Sequence, residues 1–196
     1  MSNNIKYYNK NFDKYIKESI NADMSLLYNE FEKYLKKNAS ILDLGCGSGR
    51  DSLYFSNKGF NVTSLDGSIK MIDYLKSKLK NEIVFSVFEE YKTEKKFDGI
   101  WACASLLHVK KENMKDIILK YIDLLSINGI FFMSFKLRNK DFEKDGRVFT
   151  CFSEDSFKIL LSEFLNIEII KIIVTNDVRR NRENEKWISV IIKRIK

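Results

Sequence analysis

Ile41-Leu42-Asp43-Leu44-Gly45-Cys46-Gly47-Ser48-Gly49-Arg50-Asp51-Ser52-Leu53 reads as an apolar strand running into a Gly-x-Gly-x-Gly turn and then a helix. Glycines in such a turn permit a tight reversal and let the backbone approach a ligand with no side chain between. The helix that follows starts with N–H groups able to receive a carboxylate or phosphate. A second apolar run ends at Asp66, twenty-one residues beyond Gly45. An acidic residue at that offset accepts hydrogen bonds from ribose hydroxyls. Two ligands fit, a dinucleotide or S-adenosylmethionine. The dinucleotide pattern Gly-x-Gly-x-x-Gly needs a glycine at position 50, where Arg50 stands. Asp43, just before the turn, would repel a pyrophosphate and suits a ligand carrying an ammonium and a sulfonium.

Outward from this turn, short apolar runs alternate with amphipathic segments, the pattern of a parallel sheet covered by helices. Strands are expected at Ser40–Leu44, Asn61–Leu65, Ile83–Val87, Asp98–Ala102 and Gly129–Phe135. Helices are expected at Gly49–Lys58, Ser68–Lys80, Asn113–Ser126 and Ser153–Glu163, the last with Ser153 as N-cap and Ser156 at N3. The first forty residues read as helical. Asn11 to Ile20 is one segment, and Asp23 caps another running to Lys37, with Leu26, Leu27, Phe31, Tyr34 and Leu35 on one face. At the other end, Ile167–Val174 and Trp187–Ile192 are joined only by polar Thr175–Lys186, which predicts an antiparallel hairpin.

Composition narrows the classes. The chain has 196 residues, 44% hydrophobic and 13% aromatic, enough for one sizeable core and too short for a second ordinary domain. No apolar run approaches the ~20 residues that span a bilayer. The polar start, Ser2-Asn3-Asn4-Ile5-Lys6, has no signal-like apolar segment, and Cys46, Cys103 and Cys151 are odd in number and scattered. These features predict a cytoplasmic protein without a disulfide framework, a zinc site or a membrane partner. The net charge of +7 comes from lysines spread along a proline-free chain. It reads as a solvated surface rather than a nucleic-acid footprint.

The chain resembles the class I S-adenosylmethionine-dependent methyltransferases over nearly its whole length. Leu42-Asp43-Leu44-Gly45-Cys46-Gly47-Ser48-Gly49 is similar to the family's first motif, Ser64-Leu65-Asp66-Gly67-Ser68 to its second, and Phe97-Asp98-Gly99-Ile100-Trp101-Ala102-Cys103-Ala104 to its fourth-strand motif. Gly47 to Tyr54 resembles the small tellurite-resistance-type members. The resemblance implies a Rossmann-like α/β fold: a seven-stranded, mostly parallel sheet ordered 3-2-1-4-5-7-6, strand 7 antiparallel, with helices on both faces. It also implies one methyltransferase domain over 1–196, a helical cover at 1–38 on a core at 39–196. Within it, Asp43 and the turn Gly45, Cys46, Gly47, Ser48 and Gly49 would hold the methionine part of S-adenosylmethionine. Asp66 would hold the ribose, Gly67 and Ser68 would lie beside the adenosine, and Ala102 would line the site by its backbone. The third motif departs from the family's usual Asp or Asn. Ser86-Val87-Phe88-Glu89-Glu90 offers Phe88 to pack on the adenine and Glu89 as a polar contact.

His108, the only histidine, follows the fourth strand and is a candidate general base or a local helix start. Methyl transfer does not require a base, because the sulfonium is already activated and in-line placement supplies much of the acceleration. Arg147, Arg179, Arg180 and Arg182 lie in the two stretches, Lys136–Phe149 and Thr175–Lys186, that would cover the strand ends. Arg147 and Arg179 are the candidates for an anionic acceptor, against a solvated turn neutralised by Glu183 and Glu185. Tyr7, Tyr8 and Tyr15 are placed to close over the cofactor. Trp101 and Trp187 read as sheet packing, and Cys46 and Cys103 as small apolar fillers. The expected activity is metal-free methyl transfer to a small acceptor, anionic if the two arginines bind it, by a monomer or homodimer. The alternatives are an RNA methyltransferase and an S-adenosylmethionine-binding protein without turnover.

Overall fold

A computed structural model describes residues 2–179 and 182–196; Arg180, one of the arginines singled out above, lies outside the described residues. Three short helices, α1 (Asn3–Lys10), α2 (Phe12–Ser19) and α3 (Ser25–Glu32), precede β1 (Ser40–Leu44). Alternation then follows through α4 (Arg50–Asn57), β2 (Asn61–Asp66), α5 (Ile69–Lys76), β3 (Glu82–Phe85), β4 (Phe97–Ala102), α6 (Lys111–Leu124) and β5 (Leu125–Leu137). A small hairpin of β6 (Phe142–Lys144) and β7 (Arg147–Phe149) comes next, then β8 (Cys151–Phe152), α7 (Glu154–Ser162), β9 (Ile167–Asn176) and β10 (Lys186–Arg194).

The main sheet runs β3-β2-β1-β4-β5-β10-β9. Strands β1 to β5 pair in parallel, while β10 is antiparallel to both β5 and β9. With β9 as the sixth and β10 as the seventh strand, this is the order 3-2-1-4-5-7-6. The two-residue β8, paired to β5, is an addition the sequence pattern did not predict.

Period-two alternation explains the burial. On one face Leu42, Leu44, Ile100, Phe131, Met133, Val190 and Ile192 pack with α6 and α7. On the other, Ile41, Trp101, Ile130, Phe132 and Ile191 pack with Phe31 of α3 and Phe55 of α4. Trp101 is fully buried and stacks on Phe132 with ring centroids 3.9 Å apart, so its role is sheet packing as expected.

Several boundaries differ from expectation for local reasons. Asp23 accepts a bond from the Ser25 N–H at 2.9 Å, but α3 starts at Ser25 and stops at Glu32, with Leu26 57% exposed instead of on the buried face. Ser68 caps α5 through Met71 N–H, and Ser153 and Ser156 form a reciprocal capping box on α7. Helix α1 lies within the expected helical cover but ahead of the two segments given bounds there; it buries no residue of its own, is capped by Ser2 and is held by polar contacts. The β6–β7 hairpin turns at Asp145 and Gly146, both at positive φ (53° and 73°), where an Asp-Gly pair is well suited. Among the described residues no helix is long and apolar enough to cross a membrane.

Candidate active site

The carboxyl ends of β1, β2 and β4 open into a cleft of about 620 Å³, a size suited to a small organic ligand. Gly45, Gly47, Asp66, Gly67, Phe88, Glu89 and His108, singled out from sequence, all line it. So do Tyr8 and Tyr15, on α1 and α2, and Ser105. Gly45 has φ 79°, and a Cβ there would come within 2.5 Å of Ser105 Cβ, so the turn and the loop after β4 touch only because residue 45 lacks a side chain. The Ser105 hydroxyl, buried at that contact, has no hydrogen-bond partner among the described residues.

The turn itself is largely satisfied from within. Gly45 and Cys46 donate their N–H groups to the Leu65 carbonyl at 2.8 and 2.9 Å, and Gly49 donates to Cys46 at 2.9 Å. Gly47 N–H donates to Asp66 Oδ2 at 2.9 Å, and Ser68 N–H to Asp66 Oδ1 at 2.8 Å. Burial raises the Asp66 carboxyl above its ordinary value, and these backbone bonds oppose that shift. The two oxygens offer four acceptor positions, more than the backbone donors of Gly47, Gly67 and Ser68 fill, so capacity remains for an outside hydroxyl.

Other expected residues stand behind this wall, not on it. Asp43 is buried, accepts the Ser52 hydroxyl at 2.6 Å, and is held protonated more readily than an ordinary carboxyl by burial and by neighbouring Asp51. Cys46 packs on Leu75 and Leu79, as a small apolar filler should. Gly49 caps α4 in a left-handed conformation, Ser48 is buried, and Ser68 donates to Asn9 at 2.7 Å while capping α5. Ala102 is fully buried in the core; Ala104, two residues on, is the one that reaches the cleft. Ala104 has φ 53°, uncommon for a residue with a Cβ, and its N–H donates to the Ser134 hydroxyl at 2.7 Å.

His108 bonds on both ring nitrogens. Nδ1 meets the Val148 carbonyl at 2.8 Å and Nε2 meets the Tyr8 hydroxyl at 2.7 Å. A carbonyl only accepts, so Nδ1 carries the hydrogen and Nε2 accepts from Tyr8. Burial lowers the His108 pKa to about 4, the Val148 bond opposing and Arg147 adding to the shift, so the ring is neutral at pH 7. Its lone pair is occupied by Tyr8.

A second cleft, of about 440 Å³, adjoins the first and shares Tyr8, Tyr15 and Ala104 with it. Lys14, Lys136, Arg138, Lys144, Arg147, Arg179 and Arg182 line it, with Glu18, Glu143, Asp145 and Glu185. The two predicted arginines differ sharply. Arg147 lies 3.7 Å over the Tyr7 ring and bonds Asp145 at 3.2 Å, yet its buried Nε has no partner. Arg179 is clamped on Asp177 by Nε at 2.9 Å and Nη2 at 2.6 Å. Asp177 also accepts Trp187 Nε1 at 3.0 Å and Lys136 Nζ at 3.3 Å. Burial alone would raise Asp177, but the Arg179 bonds outweigh it and hold the carboxyl far below its usual range. Arg182 pairs with Glu18 at 3.6 Å, and Glu185 with Lys136. Trp187 packs against the core from β10, as expected, and also walls this cleft, with Lys136 Nζ 4.1 Å above its ring.

Sequence reasoning missed a buried charged cluster beside the turn. Asp51, 6% exposed, receives Arg50 Nε at 2.6 Å and Nη2 at 2.9 Å, Trp101 Nε1 at 2.8 Å and the Tyr28 hydroxyl. Burial would raise its pKa, but the Arg50 charge and these bonds bring it below the ordinary value. Arg-Asp directly after the glycines was the only linear signal. Among the described residues no group of three or more His, Cys, Asp or Glu is arranged to hold a metal ion.

Residues 41–129 match the family model of a methyltransferase domain. The ubiquinone biosynthesis O-methyltransferase of Rickettsia typhi is 31% identical over 128 residues, 63% of this chain and 49% of that protein. The chain therefore spans about half the length of that curated relative. The crystal structure of 1,6-didemethyltoxoflavin-N1-methyltransferase from Burkholderia thailandensis, with 1,6-didemethyltoxoflavin and S-adenosylhomocysteine bound, is similar at TM-score 0.78 and 20% identity, over 98% of this chain and 85% of that one. TehB from Haemophilus influenzae is similar at TM-score 0.70 and 18% identity, over 97% and 66%. At such identities the structural likeness is one of fold. The methyltransferase-domain match thus lies across the glycine turn and Asp66, on a fold shared with these solved structures along nearly the whole chain.

Proposed function

We propose that the protein transfers a methyl group from S-adenosylmethionine to a small anionic acceptor by direct in-line displacement. One observation carries this: the cleft walled by the Gly45–Gly49 turn and Asp66 shares Tyr8, Tyr15 and Ala104 with a cleft in which seven lysines and arginines outnumber four acidic residues. When bound, the cofactor supplies a sulfonium methyl that needs no further activation.

The chain's residues fit that cofactor. Asp66 keeps acceptor capacity beyond its backbone donors for a ribose hydroxyl. Ser105 supplies an unused buried hydroxyl beside Gly45, and Phe88 an apolar surface for the adenine, with Glu89 at the rim. Because most turn N–H groups are already bonded, Tyr15, standing over Gly47, is the better-placed polar group for the methionine end. In the basic cleft Arg147, with a free Nε, binds the acceptor's anionic group, while Arg179 serves the loop by holding Asp177. His108 acts through Tyr8, fixing its hydroxyl where the two clefts meet, and is a positioning residue. A cleft of about 440 Å³ suits a small molecule rather than a nucleic acid, and three unpaired cysteines suit a reducing, cytoplasmic setting.

The test is calorimetry with S-adenosylhomocysteine followed by a turnover screen of small organic and inorganic anions. Micromolar-range binding that Asp66→Ala removes, with S-adenosylhomocysteine released on one of the anions, supports the proposal. Binding without turnover on any acceptor would favour a cofactor-sensing protein, and binding of NADH in its place an oxidoreductase.

A further inference from the structure

A third cavity, of about 390 Å³, shares Tyr15, Ala104, Arg179 and Trp187 with the basic cleft. Its walls are otherwise largely apolar, from Met24, Leu26, Leu27 and Val178. The basic groups at its edge are already engaged, Arg50 on Asp51 and Arg179 on Asp177.

The sheet explains why the recess exists. Along the face that meets α3, β5 presents Ile130 and Phe132, and β10 presents Ile191 opposite Phe132. One step nearer the strand end of β5, the paired positions are Ser134 and Ser189. Two small hydroxyl side chains replace two large apolar ones, and α3, which begins only at Ser25, does not fill the space. The Ser189 hydroxyl on this floor is fully buried and has no partner among the described residues. Buried polar groups are seldom left so, which marks the recess as a place that packing of the chain alone does not complete. Leu26 and Val178, 57% and 54% exposed, hold large apolar groups at its rim.

We infer that this recess takes the apolar body of the acceptor while its anionic group lies in the basic cleft, so that the acceptor is a small amphipathic acid, aryl or alkyl, and not a bare inorganic oxyanion. The inference rests on the acceptor cleft proposed above and deepens it. Ala104 and Tyr15 stand where cofactor cleft, basic cleft and recess meet, so an acceptor held at both ends would cross in front of the cofactor there.

The probes are sulfate, acetate, hexanoate and 1-naphthoate, titrated by calorimetry into the protein with and without S-adenosylhomocysteine. Affinity is expected to rise along the three carboxylates, roughly tenfold or more from acetate to 1-naphthoate, with sulfate no tighter than acetate. Ala22→Trp, which fills the recess from the α2–α3 connection, should remove that rise. Leu26→Asp at the exposed rim should do the same without a core substitution, and both should leave S-adenosylhomocysteine affinity unchanged. A flat series, or a rise that survives in both variants, overturns the inference and leaves the methyltransferase proposal standing. Failure to bind S-adenosylhomocysteine would sink that proposal instead, and the cofactor-free titrations would still decide the recess.

Discussion

The Tyr8 hydroxyl donates to His108 Nε2 across 2.7 Å, joining the first helix to the loop after the fourth strand. Asn4 strengthens the same joint, donating to the His108 carbonyl and accepting from Val148 N–H, each at 3.1 Å. A neutral imidazole is therefore the fastener between α1, the β6–β7 hairpin and the cleft.

That fastener should fail in acid. The folded pKa of about 4 lies below the ordinary 6.5, so between those values the unfolded chain binds the proton more readily. The His108 contribution is complete above pH 6.5 and is lost as pH falls toward 4, by about 2 kcal/mol between pH 7 and pH 5. Asp43 and Asp66, raised in the fold, act in the opposite sense, so the comparison must be with a variant. Urea denaturation at pH 7 and pH 5 should show a smaller loss for His108→Gln than for the natural protein. Equal losses would place the imidazole charge elsewhere in the balance.

Asp51 predicts a larger effect at all moderate pH values. Replacing it with Ala leaves the Arg50 guanidinium, Trp101 Nε1 and the Tyr28 hydroxyl without their shared acceptor in the core. Removing one partner of a buried pair costs roughly 3–5 kcal/mol. Thermal melting should drop by ten degrees or so on that scale, and Asp51→Asn, which keeps an acceptor but not the charge, should fall between. A melt within a degree or two of the natural protein would show that the cluster contributes nothing net.

The fold was largely legible because its signals are local and repeated. β1 was read at its observed bounds, and the terminal hairpin followed from two apolar runs with no helix between them. What escaped was held by distant contacts. Helix α1 has no buried face to give a period, and its anchors, His108 and Val148, lie about a hundred and more residues away. The Asp145-Gly146 turn was a readable hairpin signal, hidden within a charged stretch. At the site, the turn and Asp66 could be named from spacing, and the two arginines from charge and loop placement. That Asp43 faces Ser52, and that Arg179 already has Asp177, depend on side-chain directions no spacing specifies.

Gly45 gives a test of the turn that is independent of charge. Alanine there meets Ser105 Cβ and must hold φ 79°, so Gly45→Ala should weaken S-adenosylhomocysteine binding tenfold or more. Adding Ser105→Gly removes the collision but not the backbone strain, and part of the affinity should return. Full recovery, or none, would mean that only one of the two effects operates. Calorimetry on the two variants separates them.

Arg147 and Arg179 look alike in sequence and should behave oppositely on mutation. Arg147 has a buried Nε without a partner, and Arg147→Ala should raise the KM of an anionic acceptor about tenfold, the worth of one charge-assisted bond. Cofactor affinity should stay nearly constant, since Arg147 does not line the cofactor cleft. Arg147→Lys keeps the charge but not the fork or the stacking on Tyr7, and should recover only part of the loss. Arg179→Ala instead strips the two-point side-chain clamp from Asp177, leaving a buried carboxylate with Lys136, Trp187 and the backbone N–H of residue 179. Its main effect should be on stability, about 2 kcal/mol by denaturant midpoint. The signature is a split: one variant changes KM on a normally stable chain, the other changes stability. An Arg179→Ala variant of normal stability and raised KM would move the acceptor's anion from the Arg147 side of the cleft to the Asp177 side.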